Sequence, residues 1–122
     1  HGMRQRVAIA RTLAQRPRCI LMDEPFAALD AQTRIRVQGA FLTLWERERP
    51  TVIFVTHDLE EAILLADRVV LMSRGPGRIV ADFAVPLPRP RNPERDRSDE
   101  RFIVAHQRLW DLLQQQFTEE VE

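Results

Sequence analysis

The sequence contains no lysine, so all 18 of its basic residues are arginines. Because the phosphate-binding loop motif G-x-x-x-x-G-K-[ST] requires a lysine, that motif cannot occur in these 122 residues. The four glycines agree with this conclusion, since none of them is clustered before a helix. If the chain acts on a phosphate, it must do so without such a loop of its own.

Charge balance and cysteine content exclude further classes of protein. Eighteen acidic residues balance the arginines, so no excess charge draws the chain to DNA or RNA, and we expect no nucleic-acid partner. Cys19 has no second cysteine to form a disulfide with, which fits a reducing cytoplasm. No apolar run approaches the roughly 20 residues of a membrane-spanning helix, and we recognise no signal peptide. Any link to a membrane should run through a partner.

Strands alternate with helices along the chain, which predicts an α/β fold with a parallel sheet. With 44% hydrophobic residues, the chain can bury one core. The continuously apolar run Cys19–Met22 predicts a buried parallel strand. A helix is expected over residues 3–16, with an apolar face made of Met3, Val7, Ala10 and Leu13.

Capping residues and turn signals predict the later elements. Asp30 and Asp58 are expected to cap two helices, and strands are expected at residues 51–55 and 69–72. Gly75-Pro76-Gly77 predicts a turn into a hairpin partner at residues 78–85. Residues 86–97, rich in proline and arginine, are expected to be a linker, and residues 86–93 within it to form neither helix nor central strand. Residues 98–122 are expected to be a helical tail.

Asp23 and Glu24 end the apolar run of the first predicted strand. An α/β sheet presents side chains to ligands at the carboxyl ends of its strands, and successive residues point to opposite faces. We therefore expect Asp23 to hold a magnesium ion and Glu24 to polarise an attacking water. The same pattern also fits a strand that simply ends in two solvated acids, and the pattern alone leaves both interpretations open.

Four motifs in order supply the missing context, and through them the chain resembles the ATP-binding-cassette (ABC) ATPase family. Gly2–Arg11 (GMRQRVAIAR) resembles the end of the family's signature motif and the helix after it, and Cys19–Glu24 resembles its Walker B strand. Ala28-Leu29-Asp30 resembles the D-loop, and Thr56-His57-Asp58 the H-loop. The resemblance implies the C-terminal part of a P-loop NTPase (RecA-like) parallel sheet with flanking helices, a terminal β-hairpin and a C-terminal helix.

The resemblance also implies cofactors and residue roles. ATP and Mg²⁺ would be bound, with Glu24 as catalytic base, His57 as sensor of the γ-phosphate and Asp23 at the metal. Gly2 and Asp30 would contact nucleotide across a dimer, where a helix N-terminus favours a phosphate. The family pattern is commonly Ser-Gly-Gly-Gln or Ser-Gly-Gly-Met, so the serine position would lie before residue 1. Taken singly, Gly2 also fits ordinary helix capping and His57 a structural hydrogen-bonding role.

Other basic side chains stay outside the predicted site. Arg4, Arg6 and Arg11 are spread around one helix, as on a solvated or salt-bridged face, and His106 is expected to be solvated surface.

The resemblance divides the chain into residues 1–85, the C-terminal part of a nucleotide-binding domain, followed by the linker (86–97) and the tail (98–122). The chain opens directly on a helix, so we expect it to be a piece of a longer protein. Because the phosphate-binding loop and the Q-loop are missing, we expect no hydrolysis by this chain alone.

Residues 73–80 and 85–91 resemble the closing hairpin and proline-arginine tail of importer ATPases for nitrate, taurine and aliphatic sulfonates. This resemblance implies a second ATPase subunit in a homodimer, transmembrane permease subunits and, indirectly, a periplasmic solute-binding protein, at the cytoplasmic face of the inner membrane. One alternative is a non-transport ABC ATPase of translation or DNA repair, which usually has long charged helices or basic arms that this chain lacks. Another is a non-catalytic interaction module, against which Asp23, Glu24 and His57 argue.

The missing loop has a consequence for the sheet. In P-loop folds, the strand before that loop lies between the strands that correspond here to residues 51–55 and 69–72. Without it, we expect either that these two strands pair directly or that copies of the chain associate through the unpaired edges.

Overall fold

The computed structural model describes the backbone of residues 2–121 and the side chains of residues 3–118. The chain divides into two compact units, His1–His57 with Pro90–Glu94, and Asp58–Arg89 with Arg95–Glu122. Helices and strands alternate over the first six elements, which confirms the predicted α/β class. In chain order the elements are α1 (Gly2–Ala14), β1 (Cys19–Asp23), α2 (Ala31–Glu48), β2 (Thr51–Val55), α3 (Leu59–Leu65), β3 (Arg68–Met72), β4 (Ile79–Ala84), α4 (Pro93–Asp96) and α5 (Glu100–Val121).

A two-stranded parallel sheet of β1 and β2 organises the first unit. The Cα partners run from Cys19 with Thr51 to Asp23 with Val55, and β2 has the predicted bounds. One more backbone hydrogen bond follows the last pair, from Glu24 N to Val55 O at 2.7 Å. Because the strands are parallel, the residues that follow both of them lie at the same edge of the sheet.

The two faces of this sheet differ in exposure. Ile20 is buried, whereas Leu21, Ile53 and Val55 are 76%, 56% and 57% exposed. These three side chains form what we call the open face, since alternate residues of a strand point to opposite sides of the sheet. The prediction that Cys19–Met22 is buried is therefore wrong for the half of the strand that points to the open face.

The helices of the first unit contact each other. In α1 the buried apolar residues are Ile9 and Leu13, whereas Met3 and Val7 are 80% and 54% exposed. The predicted apolar face of this helix is thus wrong except at Leu13, and the helix ends two residues earlier than expected. In α2 the buried residues are Val37, Gln38, Phe41 and Leu42.

The second unit is built from α3, the antiparallel hairpin of β3 and β4, and α5. The predicted hairpin is confirmed, with an irregular register between Leu71 and Met72. Asp58 caps α3 as predicted, because its Oδ1 accepts hydrogen bonds from the backbone N of Glu60 and Glu61 at 3.0 and 3.3 Å. The core of the unit consists of Ile63, Leu64, Val69, Val85, Leu87, Phe102, Ala105 and Leu109.

The segment after β4 departs from the predicted linker. Leu87 is buried in the core of the second unit, and Pro93–Asp96 form the short helix α4. The prediction that residues 86–93 form no helix is wrong only at Pro93, because a proline is tolerated in the first turn of a helix, where its missing N–H has no partner to lose. His106 is half-buried and its ring lies 5.8 Å from that of Phe102, so it is not the solvated residue that we expected.

The observed strand pairing tests the expectation that residues 51–55 pair directly with residues 69–72. Within residues 2–121, β2 pairs with β1 and β3 pairs with β4, each in a sheet of two strands. The expected direct pairing of β2 with β3 is therefore wrong. Association of copies through strand edges stays a prediction.

Candidate active site

The candidate site lies at the edge where β1 and β2 end. Asp23 is the last residue of β1, Glu24 follows it, and His57 comes two residues after β2. The Nε2 atom of His57 is 2.9 Å from Oε1 of Glu24. The structure thus brings together two of the side chains that the sequence analysis selected, over a sequence separation that only parallel pairing of the strands explains.

Glu24 has an unusual backbone conformation. Its φ is 44°, in the left-handed region that non-glycine residues rarely adopt. Hydrogen bonds hold it in place on both sides, from Glu24 N to Val55 O at 2.7 Å and from Ala27 N to Glu24 O at 3.3 Å. The chain therefore turns sharply at Glu24, and such strained positions are concentrated at functional sites.

The Glu24 and His57 side chains are open to solvent. The exposed fraction is 92% for the His57 side chain and 37% for that of Glu24. A water molecule or a phosphate group can reach both of them without movement of the backbone.

Asp23 is exposed at the end of β1. Among the side chains that the structure describes, no group of three or more His, Cys, Asp or Glu residues could by itself hold a metal ion. A single carboxylate nevertheless suits Mg²⁺, which commonly takes one or two carboxylates and completes its octahedron with water and substrate phosphates. The donor set at this edge therefore fits magnesium bound together with a phosphate ligand, and does not fit a site made by the protein alone.

Asp30 is the N-cap of α2, as predicted. Its Oδ1 accepts a hydrogen bond from the backbone N of Thr33, and its Oδ2 one from the Thr33 hydroxyl, both at 2.9 Å. The backbone hydrogen bond from Thr33 is the main cause that lowers the pKa of Asp30 below 3.8. Asp30 is therefore an exposed, ionised carboxylate at neutral pH, fixed at the end of the loop that starts at Glu24.

A cavity of about 240 Å³ adjoins this site and is lined by residues of α1, β1 and the following loop. Most of its wall is apolar, with Ile9, Leu13 and Ile20, while Gln5 and Asp23 add polar groups. An ionised phosphate would lose its hydration in such surroundings without adequate compensation. A phosphate group would therefore be accommodated better at the open edge that carries Glu24 and His57 than in this cavity.

Comparison with known proteins shows which family the chain is similar to. A family described as ABC transporter matches residues 1–27. An uncharacterised ABC transporter ATP-binding protein of Methanocaldococcus jannaschii is 50% identical over 112 residues, which cover 92% of this chain and 40% of that protein. The nitrate import ATP-binding protein NrtD of Synechococcus elongatus is 45% identical over 117 residues, covering 95% of this chain and 43% of NrtD. The chain is thus similar to ABC transporter ATP-binding proteins.

A third relative in this family extends over nearly the whole chain. The bicarbonate transport ATP-binding protein CmpD of Synechococcus elongatus is 43% identical over 122 residues, which are 99% of this chain and 44% of CmpD. The chain thus spans less than half the length of the curated relatives described here.

Two further residues support the loop between Glu24 and Asp30. Gln5 of α1 donates a hydrogen bond from Nε2 to the carbonyl oxygen of Pro25. Arg34 of α2 donates to the carbonyl oxygens of Phe26 at 3.3 Å and Leu29 at 2.7 Å. The sequence analysis missed both residues, because nothing in the sequence shows which side chain reaches a loop carbonyl.

Gly2, the remaining residue of the predicted site, lies at the edge of the described residues. Gly2 is the first residue of α1, and His1 lies outside the described residues. Gln5, in the same helix, contacts the loop that follows Glu24. Within residues 2–121, no helix combines the length and the apolar composition needed to cross a membrane.

Proposed function

We propose that the chain is the part of an ABC importer ATPase subunit that extends from the signature motif to the C-terminal tail, and that Glu24 and His57 serve in ATP hydrolysis. The observation that carries the proposal is the 2.9 Å contact between His57 Nε2 and Glu24 Oε1 at the shared edge of two parallel strands. In the complete protein, these strands would belong to a RecA-like P-loop sheet.

Each residue has a role that follows from its chemistry. The Glu24 carboxylate would orient a water and accept its proton as the water attacks the γ-phosphate. When nucleotide is bound, His57 would turn its N–H from Glu24 to the γ-phosphate and donate a hydrogen bond to it, for which its 92% exposed side chain leaves room. Asp23 would hold Mg²⁺ with the nucleotide, and the ion supplies positive charge to the phosphate oxygens.

Gly2 and Asp30 would act across a homodimer. The N-terminus of α1, at Gly2, offers free N–H groups and the positive end of the helix dipole to a phosphate bound by the opposite subunit. Asp30 would contact that subunit from its position at the start of α2. Since these 122 residues include neither lysine nor a phosphate-binding loop, we expect no hydrolysis by this chain on its own.

The relatives' names support a transport role and a class of cargo. NrtD is named for nitrate import and CmpD for bicarbonate transport, and both solutes are small anions. We therefore place the complete subunit in an importer of a small solute with an anionic group, such as nitrate or a sulfonate-like or taurine-like solute. Its partners would be transmembrane permease subunits and, through them, a periplasmic solute-binding protein, with the ATPase at the cytoplasmic face of the plasma membrane.

The experiment compares Glu24→Gln with the parent in the complete ATPase subunit. The amide keeps the shape of the side chain but is a far weaker base, so we expect hydrolysis to fall by at least about 10²-fold while ATP binding is retained. Glu46→Gln, near the end of α2 where the partly exposed carboxylate pairs with Arg49, is the matched control and should hydrolyse at the parent rate. Hydrolysis by Glu24→Gln near the parent rate would remove Glu24 from the proposed role.

The cargo is tested separately in proteoliposomes that contain the permease. Uptake of labelled nitrate, bicarbonate and taurine is measured with the solute-binding protein present. Uptake of none of these solutes, with ATP hydrolysis intact, would overturn the cargo class while leaving the proposed ATPase in place.

A further inference from the structure

The tail helix α5 carries apolar side chains on two sides. One side packs into the core of the second unit, where Leu109 is fully buried. On the rest of its surface, the helix exposes four large apolar residues, at 54%, 62%, 47% and 37%: Ile103, Val104, Trp110 and Phe117. The core of the unit leaves these side chains open to solvent, so they are available to a partner.

Three of the exposed residues form a regular line. Ile103, Trp110 and Phe117 are each seven residues apart, and the exposed Gln107 and Gln114 lie between them. The five positions thus follow one another at alternating steps of four and three residues, which is the spacing of the a and d positions of a coiled coil. We call them the outer stripe. At a rise of 1.5 Å per residue, the outer stripe is about 21 Å long.

This part of α5 is poor in charge. From residue 102 to residue 118, Arg108 and Asp111 are the only residues of the types Asp, Glu, Lys and Arg in the sequence. A helix side that stays in water usually carries many charged residues, whereas the centre of a protein interface is depleted in them and enriched in aromatic residues. An anionic lipid surface or a nucleic acid would require an excess of basic residues. The composition therefore favours a protein partner.

The outer stripe is complementary to a second copy of itself. In an antiparallel pair centred on Trp110, Ile103 of one copy faces Phe117 of the other, Gln107 faces Gln114, and the two Trp110 rings meet. Apolar groups then contact apolar groups, and each amide meets an amide, which both donates and accepts hydrogen bonds. A twofold interface requires this kind of self-complementarity.

The charges and the helix dipoles favour the antiparallel direction. In that pairing, Arg108 of one copy lies within one residue of the level of Asp111 of the other. In a parallel pair, each of these residues would instead be level with its own copy, so like charges would be opposed. Antiparallel helices also bring opposite ends of their dipoles together.

Contacts within the second unit already hold two side chains of the outer stripe. Nε2 of Gln107 donates a hydrogen bond to Oδ1 of Asp111 at 2.9 Å. The guanidinium carbon of Arg74 lies 5.0 Å from the centre of the Phe117 ring. Side chains that are ordered before association lose less conformational entropy when a partner binds.

We propose that two copies of the chain dimerise through the outer stripes of α5, antiparallel and with the twofold axis at Trp110. This interface goes beyond the proposed function, because it needs no nucleotide and uses none of the residues of the candidate site. A stripe about 21 Å long buries less than the roughly 800 Å² per partner of a standard interface. We therefore expect a dissociation constant in the micromolar range.

Cysteine cross-linking tests the direction of the pairing. Because Cys19 is the single cysteine of the chain, Cys19→Ser gives a background without thiols. In that background, chains with Gln107→Cys and chains with Gln114→Cys are oxidised separately and as a mixture. A disulfide requires Cα atoms within about 7 Å, so we expect at least about fivefold more linked dimer in the mixture than in either sample alone. Equal yields, higher yields in the separate samples, or no linked dimer would each overturn the inference.

Sedimentation equilibrium of the 122-residue chain measures the affinity. Trp110→Ala should raise the dissociation constant at least about tenfold, since a central aromatic residue provides much of the energy of an interface. Ile53→Ala is the matched control, because it removes an apolar side chain of similar exposure from the open face and should leave the affinity unchanged. A monomeric parent, or a loss in Ile53→Ala as large as that in Trp110→Ala, would refute the proposed dimer.

Discussion

The left-handed backbone of Glu24 predicts that replacement by glycine leaves the protein more stable than replacement by alanine, although both substitutions remove the candidate base. With a φ of 44°, Glu24 occupies a region that costs an L-residue about 1–2 kcal/mol and costs glycine nothing. Glutamate is retained at a position where glycine fits the backbone better. The proposed chemistry explains this choice, since glycine offers no carboxylate.

The magnitude follows from a comparison of Glu24→Gly with Glu24→Ala, since both variants lose the contact with His57. Glycine relieves about 1–2 kcal/mol of backbone strain, but its unfolded chain is more flexible, which offsets about 0.4–1 kcal/mol. We therefore expect the glycine variant to have a free energy of unfolding about 1 kcal/mol higher than that of the alanine variant. For a domain of this size, the difference corresponds to about 3–5 °C in Tm.

Urea unfolding followed by tryptophan fluorescence measures this difference. Trp45 lies in the same unit as Glu24, and a Trp110→Phe background removes the second signal. Arg49 is a matched position, because its φ is 46° and it follows α2 as the C-cap. The free energy of unfolding of Arg49→Gly should likewise be about 1 kcal/mol higher than that of Arg49→Ala. Neither substitution should affect hydrolysis by the complete subunit.

Two results would refute this reasoning. In the first, glycine gives a higher free energy of unfolding than alanine at position 49 but not at position 24. The backbone strain assigned to Glu24 would then be absent. If neither glycine variant is the more stable, the left-handed conformations do not carry the cost assigned to them.

Three further predictions concern the loop and the tail helix. Asp30→Ala should lower the free energy of unfolding by about 1 kcal/mol through loss of the N-cap, with Asp30→Asn much closer to the parent in urea unfolding, and equal losses would contradict the capping role. Arg34→Met should lower kcat without a change in KM, because two loop carbonyls lose their hydrogen-bond donor. The same substitution at Arg36, an exposed residue of the same helix, should have no effect. Similar rates in both variants would exclude a role for Arg34 in holding the loop. Hydrogen bonds from Arg101 lower the pKa of Asp99 from 3.8 to about 2, so the stability that this carboxylate provides is complete above about pH 4 and lost as the pH falls towards 2. Urea unfolding between pH 2 and 5 should show a weaker acid dependence in Asp99→Asn, and an unchanged dependence would contradict the assignment.

Local signals in the sequence predicted the elements that local physics determines. Asp30 and Asp58 cap the helices that they were expected to cap, because an N-cap depends on a side chain and the two or three residues after it. The bounds of β2 and the hairpin of β3 and β4 follow equally from short-range patterns. Parallel pairing then explains why residues after two separate strands, Glu24 and His57, lie in contact.

Features that depend on the neighbours of an element could not be predicted in this way. α1 has more than one apolar stripe, and the sequence does not show that Ile9 rather than Met3 is buried. The hydrogen bonds from Gln5 and Arg34 end on backbone carbonyls, which every residue has, so no sequence pattern marks them. The residues before Pro93 suggested a linker because proline lacks the N–H that strand pairing requires. Leu87 is nevertheless buried, because it packs into the core of the second unit.

The open face of the parallel sheet affects how much of this polypeptide persists in a cell. Leu21, Ile53 and Val55 expose large apolar side chains side by side on two strands, and Leu21 is opposite Ile53 in the register. Extended apolar segments of this kind favour aggregation and are bound by chaperones that retain incompletely covered chains. The amount of this polypeptide that persists when it is produced by itself should therefore depend on chaperone capacity and proteolysis more than on the free energy of its own core.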